Sequence, residues 1–283
     1  MPELDKRSFT THDGLPIYYR DYHRKTSDRL PFLSLARSSA ISQGFHGLTL
    51  RLVAQRRILC MDWRGCGQSA WDPDYKHYGF EADRDDVFEM LGAEDLNRVI
   101  IIGTSRGPII AMLIAMTRPD LLAGVVLNDI GPVVGQADLE RLQRAFALDS
   151  TFASFEEAGR AMHERLGRAV TNLSDEAWTD HARQTYRRGP DGKARPDFDP
   201  GYARGFREVE AGGDMWVAFD ALSTIPTLAI RGEHSDVLES ETLDEMAARK
   251  DDFLTATIPG RMPCSFLDEP ESLAAIDSFL ATV

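Results

Sequence analysis

A serine flanked by glycines stands where two apolar runs meet. Arg98-Val99-Ile100-Ile101-Ile102 reads as a buried parallel strand, and Ile109-Ile110-Ala111-Met112-Leu113-Ile114-Ala115-Met116 as a buried helix. Between them, Gly103-Thr104-Ser105-Arg106-Gly107 leaves only a few residues in which to turn. Small residues two before and two after Ser105 permit a sharp turn that strains the serine backbone and points Oγ outward. The amides that follow open the helix, have no carbonyl behind them and can donate to an oxyanion. Ser105 is therefore a candidate nucleophile for attack on a carbonyl carbon, with the Arg106 amide as an oxyanion donor.

Such a serine needs a base. Where G-x-S-x-G joins a strand to a helix, the partners follow in the order Ser, then Asp or Glu, then His. The seven histidines are His12, His23, His46, His77, His163, His181 and His234, so none lies in the C-terminal region where the base should come.

The elements around the turn alternate. Asp13-Gly14 is a hairpin signal before the aromatic-rich strand Ile17-Tyr18-Tyr19-Arg20-Asp21-Tyr22. Pro31-Phe32-Leu33-Ser34-Leu35 and Arg57-Ile58-Leu59-Cys60-Met61-Asp62 read as strands, with helical spacing over residues 46–55 between them. Residues 79–96 fit a helix leading to the serine strand, and Leu122-Ala123-Gly124-Val125-Val126-Leu127-Asn128-Asp129 is a further strand. The pattern then changes. Stretches 137–147, 154–166 and 174–186 look helical, residues 189–201 look like a break, and no strand signal is seen. Strands resume with Pro226-Thr227-Leu228-Ala229-Ile230-Arg231 and Phe253-Leu254-Thr255-Ala256-Thr257-Ile258, and a helix over 271–281 closes the chain. Alternating strands and helices imply a parallel sheet covered on both faces. The expected division is a core of residues 1–132 and 214–283 with a helical cap insertion over 133–213.

Composition bounds the partners. At 283 residues, the chain has length for one large core. A net charge of −13 argues against a general nucleic-acid binder, since phosphate affinity needs clustered Lys and Arg. Cys60, Cys66 and Cys264 suggest neither a disulfide framework nor a metal site, and no cofactor is implied. The N-terminus lacks the apolar stretch of a signal peptide and no segment reaches membrane-span length, so a cytoplasmic location is expected. The expected partner is a small molecule, with no nucleic acid and no membrane; oligomeric state is open.

With these elements in order, the chain resembles the α/β-hydrolase superfamily, particularly its capped esterases, lactonases and carbon–carbon bond hydrolases. Besides the serine turn, Asp62-Trp63-Arg64-Gly65-Cys66-Gly67-Gln68-Ser69 is similar to the D-x-R-G-x-G-x-S loop. Arg231-Gly232-Glu233-His234-Ser235-Asp236 is similar to the R-G-x-x-S-D turn, and Leu267-Asp268-Glu269-Pro270 to the segment after the catalytic histidine. The resemblance implies a mostly parallel eight-stranded sheet with an inserted helical cap. It also implies Ser105 as nucleophile, and Asp236 as the acid that orients an imidazole and stabilises the imidazolium.

The chain departs from this pattern in three places. P-G-x-G-H-x-x-x-L-D-E-P corresponds to Pro259-Gly260-Arg261-Met262-Pro263-Cys264-Ser265-Phe266-Leu267-Asp268-Glu269-Pro270, so Pro263 stands at the base position and cannot accept a proton. The family's H-G or P-G after the third strand is replaced by Ala36-Arg37-Ser38-Ser39-Ala40-Ile41-Ser42-Gln43, where backbone donors at Arg37 or Ser38 would complete the oxyanion site. Pro108 follows Gly107, a mild change early in a helix. His234 is a candidate substitute base on the acid turn, against the plainer reading of a solvent-facing loop residue. His46 and a nucleophilic Cys264 are weaker still. Codons for residues 36–45 can be chosen so that the next frame spells Pro-Gly-Leu-x-Arg-Ser-Arg-Arg-Asp-Phe, close to the family's loop. Residues 262–265 likewise admit Cys-His-Ala-Pro. Compensated frame shifts and residue-by-residue replacement both remain open, and codons across 35–45 that cannot spell Pro-Gly in the next frame exclude the first.

Three functions follow: a serine hydrolase of a small ester, lactone or activated carbonyl compound; a non-catalytic ligand-binding protein on the same scaffold; or a lyase or isomerase that uses the pocket without acylation. Trp63, Trp71 and Trp216 are candidate pocket walls, with core packing as the alternative for each.

Overall fold

The computed structural model describes residues 3–23, 29–38, 41–133, 151–166, 173–202, 204, 215–261 and 265–283, the side chains at 3, 43, 46, 165 and 166 apart. The chain runs β1 (Glu3–Thr10), β2 (Pro16–His23), β3 (Phe32–Leu35), α1 (His46–Leu52), β4 (Ile58–Met61), α2 (Phe80–Ala93), β5 (Val99–Thr104), α3 (Arg106–Thr117) and β6 (Leu122–Asn128). An insertion carries α4 (Phe155–Leu166), α5 (Asp175–Arg183), β7 (Tyr186–Arg188) and β8 (Ala194–Pro196). The sheet then resumes through α6 (Trp216–Asp220), β9 (Thr227–Gly232), α7 (Ser240–Arg249), β10 (Phe253–Ile258) and α8 (Pro270–Leu280).

Eight strands form one sheet in the order β1-β2-β4-β3-β5-β6-β9-β10. The first two pairings are antiparallel and the other five parallel. The Asp13-Gly14 turn closes the β1–β2 hairpin with Gly14 at φ 85. Every residue of β5 is buried, because both faces of the sheet are covered. Val99 and Ile101 pack into one cluster with Ile110, Met112 and Ile114 of α3, while Ile100 and Ile102 pack into another with Ile276 and Phe279 of α8. That alternation is the period-2 geometry of a strand between two layers.

The insertion departs from the purely helical expectation. Stretch 174–186 stops being helical at Arg183, and Tyr186–Arg188 pairs antiparallel with Ala194–Pro196. The signal was present: Gly189-Pro190-Asp191-Gly192 is turn chemistry, with Gly192 at φ 80, and it closes a hairpin. Expected helix 154–166 is α4; expected helix 137–147 lies outside the described residues. Ala158, Met162, Trp178, Ala182, Tyr186 and Ala194 form the insertion's own apolar cluster, and Phe266 of the C-terminal region packs against it.

Candidate active site

Ser105 sits between β5 and α3 at φ 54, ψ −98, half-buried. A positive φ is costly for a non-glycine residue, and this one is imposed by its surroundings. A Cβ on Gly103 would lie 2.5 Å from the Gly107 carbonyl carbon, and one on Gly107 would lie 2.5 Å from the Leu35 oxygen. Glycine at both positions lets β5, α3 and the end of β3 close tightly around the serine. The Ser105 amide donates to the Asn128 carbonyl at 3.2 Å, which fixes the turn to the end of β6. Arg106 is the first residue of α3, so its amide has no intrahelical acceptor and suits an oxyanion.

Asn128 also reaches the C-terminal region. Its Nδ2 donates to Thr104 Oγ1 at 3.0 Å and to the Ser265 carbonyl at 2.9 Å, and Ser265 Oγ donates to Asn128 Oδ1 at 2.9 Å. The loop expected to carry the base is thus pinned beside the serine turn. At its other end, the His234 amide donates to the Arg261 carbonyl at 2.8 Å, tying it to the acid turn. Pro263 and Cys264 lie outside the described residues.

Asp236 stands on the turn after β9, on the same sheet edge as Ser105 with β6 between them. Arg231 builds that turn from inside. Its Nε donates to the Leu238 carbonyl at 2.6 Å and its two terminal nitrogens to Glu233 and Ser235 carbonyls at 3.0 and 3.1 Å. Ser235 Oγ accepts the Val237 and Leu238 amides. Asp236 itself is exposed, and so is His234, whose Nε2 lies 3.8 Å from Glu233 Oε2. The solvent-facing reading of His234 is the one its position supports.

On the other side, Ser38 is buried, while Arg37 is half-buried and donates to Thr185 Oγ1 at 3.2 Å. Asp62 locks this loop to the next. Its carboxylate accepts the Ser42 amide at 2.5 Å and the Gln68 amide at 3.0 Å, and a Cβ on Gly67 would collide with it. The three tryptophans make different contacts. Trp63 is wholly buried with Nε1 on the Ala36 carbonyl, Trp71 is exposed beneath Arg187, and Trp216 stacks with Arg249.

Residues 36–276 match the alpha/beta hydrolase family. The chain belongs to that family. It is 29% identical to the 3-hydroxybutyrate-oligomer hydrolase of Cupriavidus necator, covering 83% of each chain. It is 27% identical to the 2-(acetamidomethylene)succinate hydrolase of Mesorhizobium japonicum, covering 88% of this chain and 86% of that one. Among solved structures, an alpha/beta hydrolase from Novosphingobium aromaticivorans superposes with a TM-score of 0.94 at 35% identity over the whole of both chains.

Two groups of this chain escaped the reading of motifs. Arg106, considered only for its amide, turns its side chain into the core and pairs with Asp83 of α2; the two side chains are 2% and 0% exposed. Phe80, Tyr202 and Trp63 surround the guanidinium at 4.7, 5.3 and 5.8 Å from their ring centroids. The second is Asp129, at the end of β6 with φ 58 and no exposure. Burial pushes its carboxyl up to about 7, although the Ser235 hydroxyl and Gly232 amide favour the charged form. Ser105 and Asp129 are two of the four non-glycine residues with positive φ among the described residues, and both follow the carboxyl ends of neighbouring strands, β5 and β6.

The Asp129 shift has a stability consequence. An ordinary aspartate titrates near about 4. Between about 4 and about 7, the folded chain therefore keeps a proton that the unfolded chain has released. Stability falls as pH rises through that window, and the loss is complete above it. Asparagine tolerates the left-handed backbone and never ionises. Asp129→Asn is expected to melt above the native chain by a gap that widens by about 5 °C from pH 4.5 to 8. A gap independent of pH in parallel melting curves counts against a proton held at Asp129.

Asp13, Asp72 and His77 bring possible metal ligands within 4.8 Å of one another. Arg64 already faces the two carboxylates at 3.1 and 3.6 Å, and that charge opposes a divalent cation there.

Proposed function

We propose that this chain is a hydrolase that attacks a small ester, lactone or activated carbonyl compound through Ser105. The observation that carries the reading is the strained backbone of Ser105, held between Gly103 and Gly107 at the start of α3. Ser105 Oγ would attack the carbonyl carbon, with the Arg106 amide, and an amide at Arg37 or Ser38, receiving the developing negative oxygen. The carbonyl's bond to the alcohol oxygen would break as the Oγ–acyl bond forms, the alcohol leaving with the serine proton, and water would then cleave the Oγ–acyl bond to give the acid and free Ser105. The insertion over 133–213 would act as the cap, leaving a small substrate between it and the carboxyl edge of the sheet. The two relatives, which act on a 3-hydroxybutyrate oligomer and on 2-(acetamidomethylene)succinate, support a small acyl substrate.

Pro263 at the base position favours a second reading, a ligand-binding protein that keeps the pocket without turnover. Side-by-side hydrolysis of a short-chain p-nitrophenyl ester by the native chain and Ser105→Ala separates the two. The hydrolase reading expects a slow native rate that drops to background in the variant. Equal rates in both support the binding reading.

A further inference from the structure

We propose that Arg37, His181 and Arg261 form a carboxylate-binding subsite above Ser105, so that the preferred acyl substrate carries a negative charge. The proposal rests on Ser105 as the reacting centre and names the class of substrate delivered to it.

Three separate stretches supply these side chains. Arg37 follows β3, His181 lies in the last turn of α5, and Arg261 follows β10. Two of them meet at Phe266, and the third is held beside the end of α5. The His181 ring stacks on the Phe266 ring with centroids 3.9 Å apart and 25° between planes. The Arg261 guanidinium lies 5.6 Å from the centroid of the same ring. Arg37 donates to Thr185, four residues beyond His181, and the Ile41 amide donates to the Gln184 carbonyl at 3.1 Å. The loop after β3 is thereby clamped to the end of α5.

This collar flanks the nucleophile on two sides. Phe266 follows Ser265, which is bonded to Asn128, whose carbonyl accepts the Ser105 amide. Arg37 lies two residues beyond Leu35, whose carbonyl oxygen abuts the serine turn at Gly107. A substrate bound with its carbonyl at Ser105 would direct its far end into the collar.

The electrostatics suit an anion. Burial, then the charge of Arg37, then Arg261, hold the His181 imidazole below its ordinary pKa, while Gln184 and Asp180 oppose them. Phe266 and Trp178 are the rings packed against it. Among the described residues, Glu269 and Asp268 face Arg261 and Asp180 faces His181. Glu269 pairs with Arg261 at 3.0 Å and accepts the Phe266 amide and the Ser272 hydroxyl. Three groups that can each be positive are thus held together in a half-buried place, in a chain of net charge −13. An incoming carboxylate would relieve their mutual repulsion and take charge-assisted hydrogen bonds from the guanidinium forks. It would also stabilise protonated His181, so by linkage binding should raise the His181 pKa.

Glutarate and its neutral diamide, glutaramide, test this by titration calorimetry and imidazole NMR on the full chain, with His181→Gln assigning the resonance. Glutarate is expected to bind, glutaramide at least about tenfold more weakly, and Arg37→Gln to weaken glutarate by about tenfold or more. Saturating glutarate should raise the His181 pKa and leave exposed His234 unmoved. The NMR arm needs no substitution in the measured protein, so a poorly folded variant does not decide the matter. Equal binding of the two compounds, or an unmoved His181, overturns the proposal. Ser105→Ala should bind glutarate like the native chain; hydrolysis equal in the two chains with binding retained rejects the serine chemistry and leaves the subsite standing.

Discussion

Met262→Gly/Pro263→His is expected to raise p-nitrophenyl ester hydrolysis by roughly 10²–10⁴ over the native chain. The expectation starts from the anchors on either side of the altered positions. Arg261 is bonded to the acid turn through the His234 amide, and Ser265 is bonded to Asn128 beside the serine turn. The family resemblance puts the base at position 263, in the stretch of chain between these two anchors. Proline there offers no lone pair to take the Ser105 proton, whereas an imidazole does. Without a base, the remaining groups act mainly by binding and oxyanion stabilisation, because members of a triad contribute as a unit. Glycine at 262 restores the backbone freedom that the family's P-G-x-G-H pattern carries. Adding Ser105→Ala should return the rate to background. In the restored chain, Asp236→Asn and Asp129→Asn ask which carboxylate orients the imidazole: the one that does should cost orders of magnitude in kcat, the other little. If the double substitution folds and gains nothing, Pro263 is not what limits turnover, and the replaced loop at 36–45 becomes the defect to repair.

Much of this site was legible because its geometry is local. Gly103 and Gly107 mark close backbone approaches that any larger residue would obstruct, and the apolar runs on either side identify the strand and helix they join. Asp62 and Gly67 similarly report one loop, since the carboxylate of the first occupies the space a Cβ on the second would need. What stayed hidden depends on contacts between distant stretches. Nothing in the local pattern pairs Arg106 with Asp83, 23 residues earlier on another helix. Asp129 reads as the end of a strand; only the sheet order, with β9 beside β6, buries it against Gly232 and Ser235. His181 had no motif around it, and its stacking on Phe266 exists only because the insertion folds back onto the C-terminal region. The β7–β8 hairpin was missed for another reason. Strands of three residues carry too little alternation to be seen, and the turn between them was the better signal.

Asp83→Ala is expected to destabilise the fold by about 3–5 kcal/mol, read as a lower urea midpoint at unchanged slope. Arg106 and Asp83 are both out of water, so removing the carboxylate strands a guanidinium that keeps its charge. Burial pushes the Asp83 carboxyl up and the guanidinium pulls it back, so the pair holds its charge only while both partners remain. The faces of Phe80, Tyr202 and Trp63 offer the cation some compensation. They cannot accept its hydrogen bonds as a carboxylate does. Replacing both partners by apolar residues, Asp83→Leu with Arg106→Met, should recover most of the loss or exceed native stability, because no buried charge is then left unpaired. A double variant as unstable as Asp83→Ala would instead locate the cost in lost packing. The comparison also bears on catalysis. Arg106 opens α3 and supplies the proposed oxyanion amide, so its buried side chain anchors the backbone that must stay fixed while the carbonyl oxygen gains charge. In the chain with the histidine restored, the double apolar variant should therefore keep its fold yet lose kcat more than KM, whereas a pair that serves stability alone would leave both unchanged.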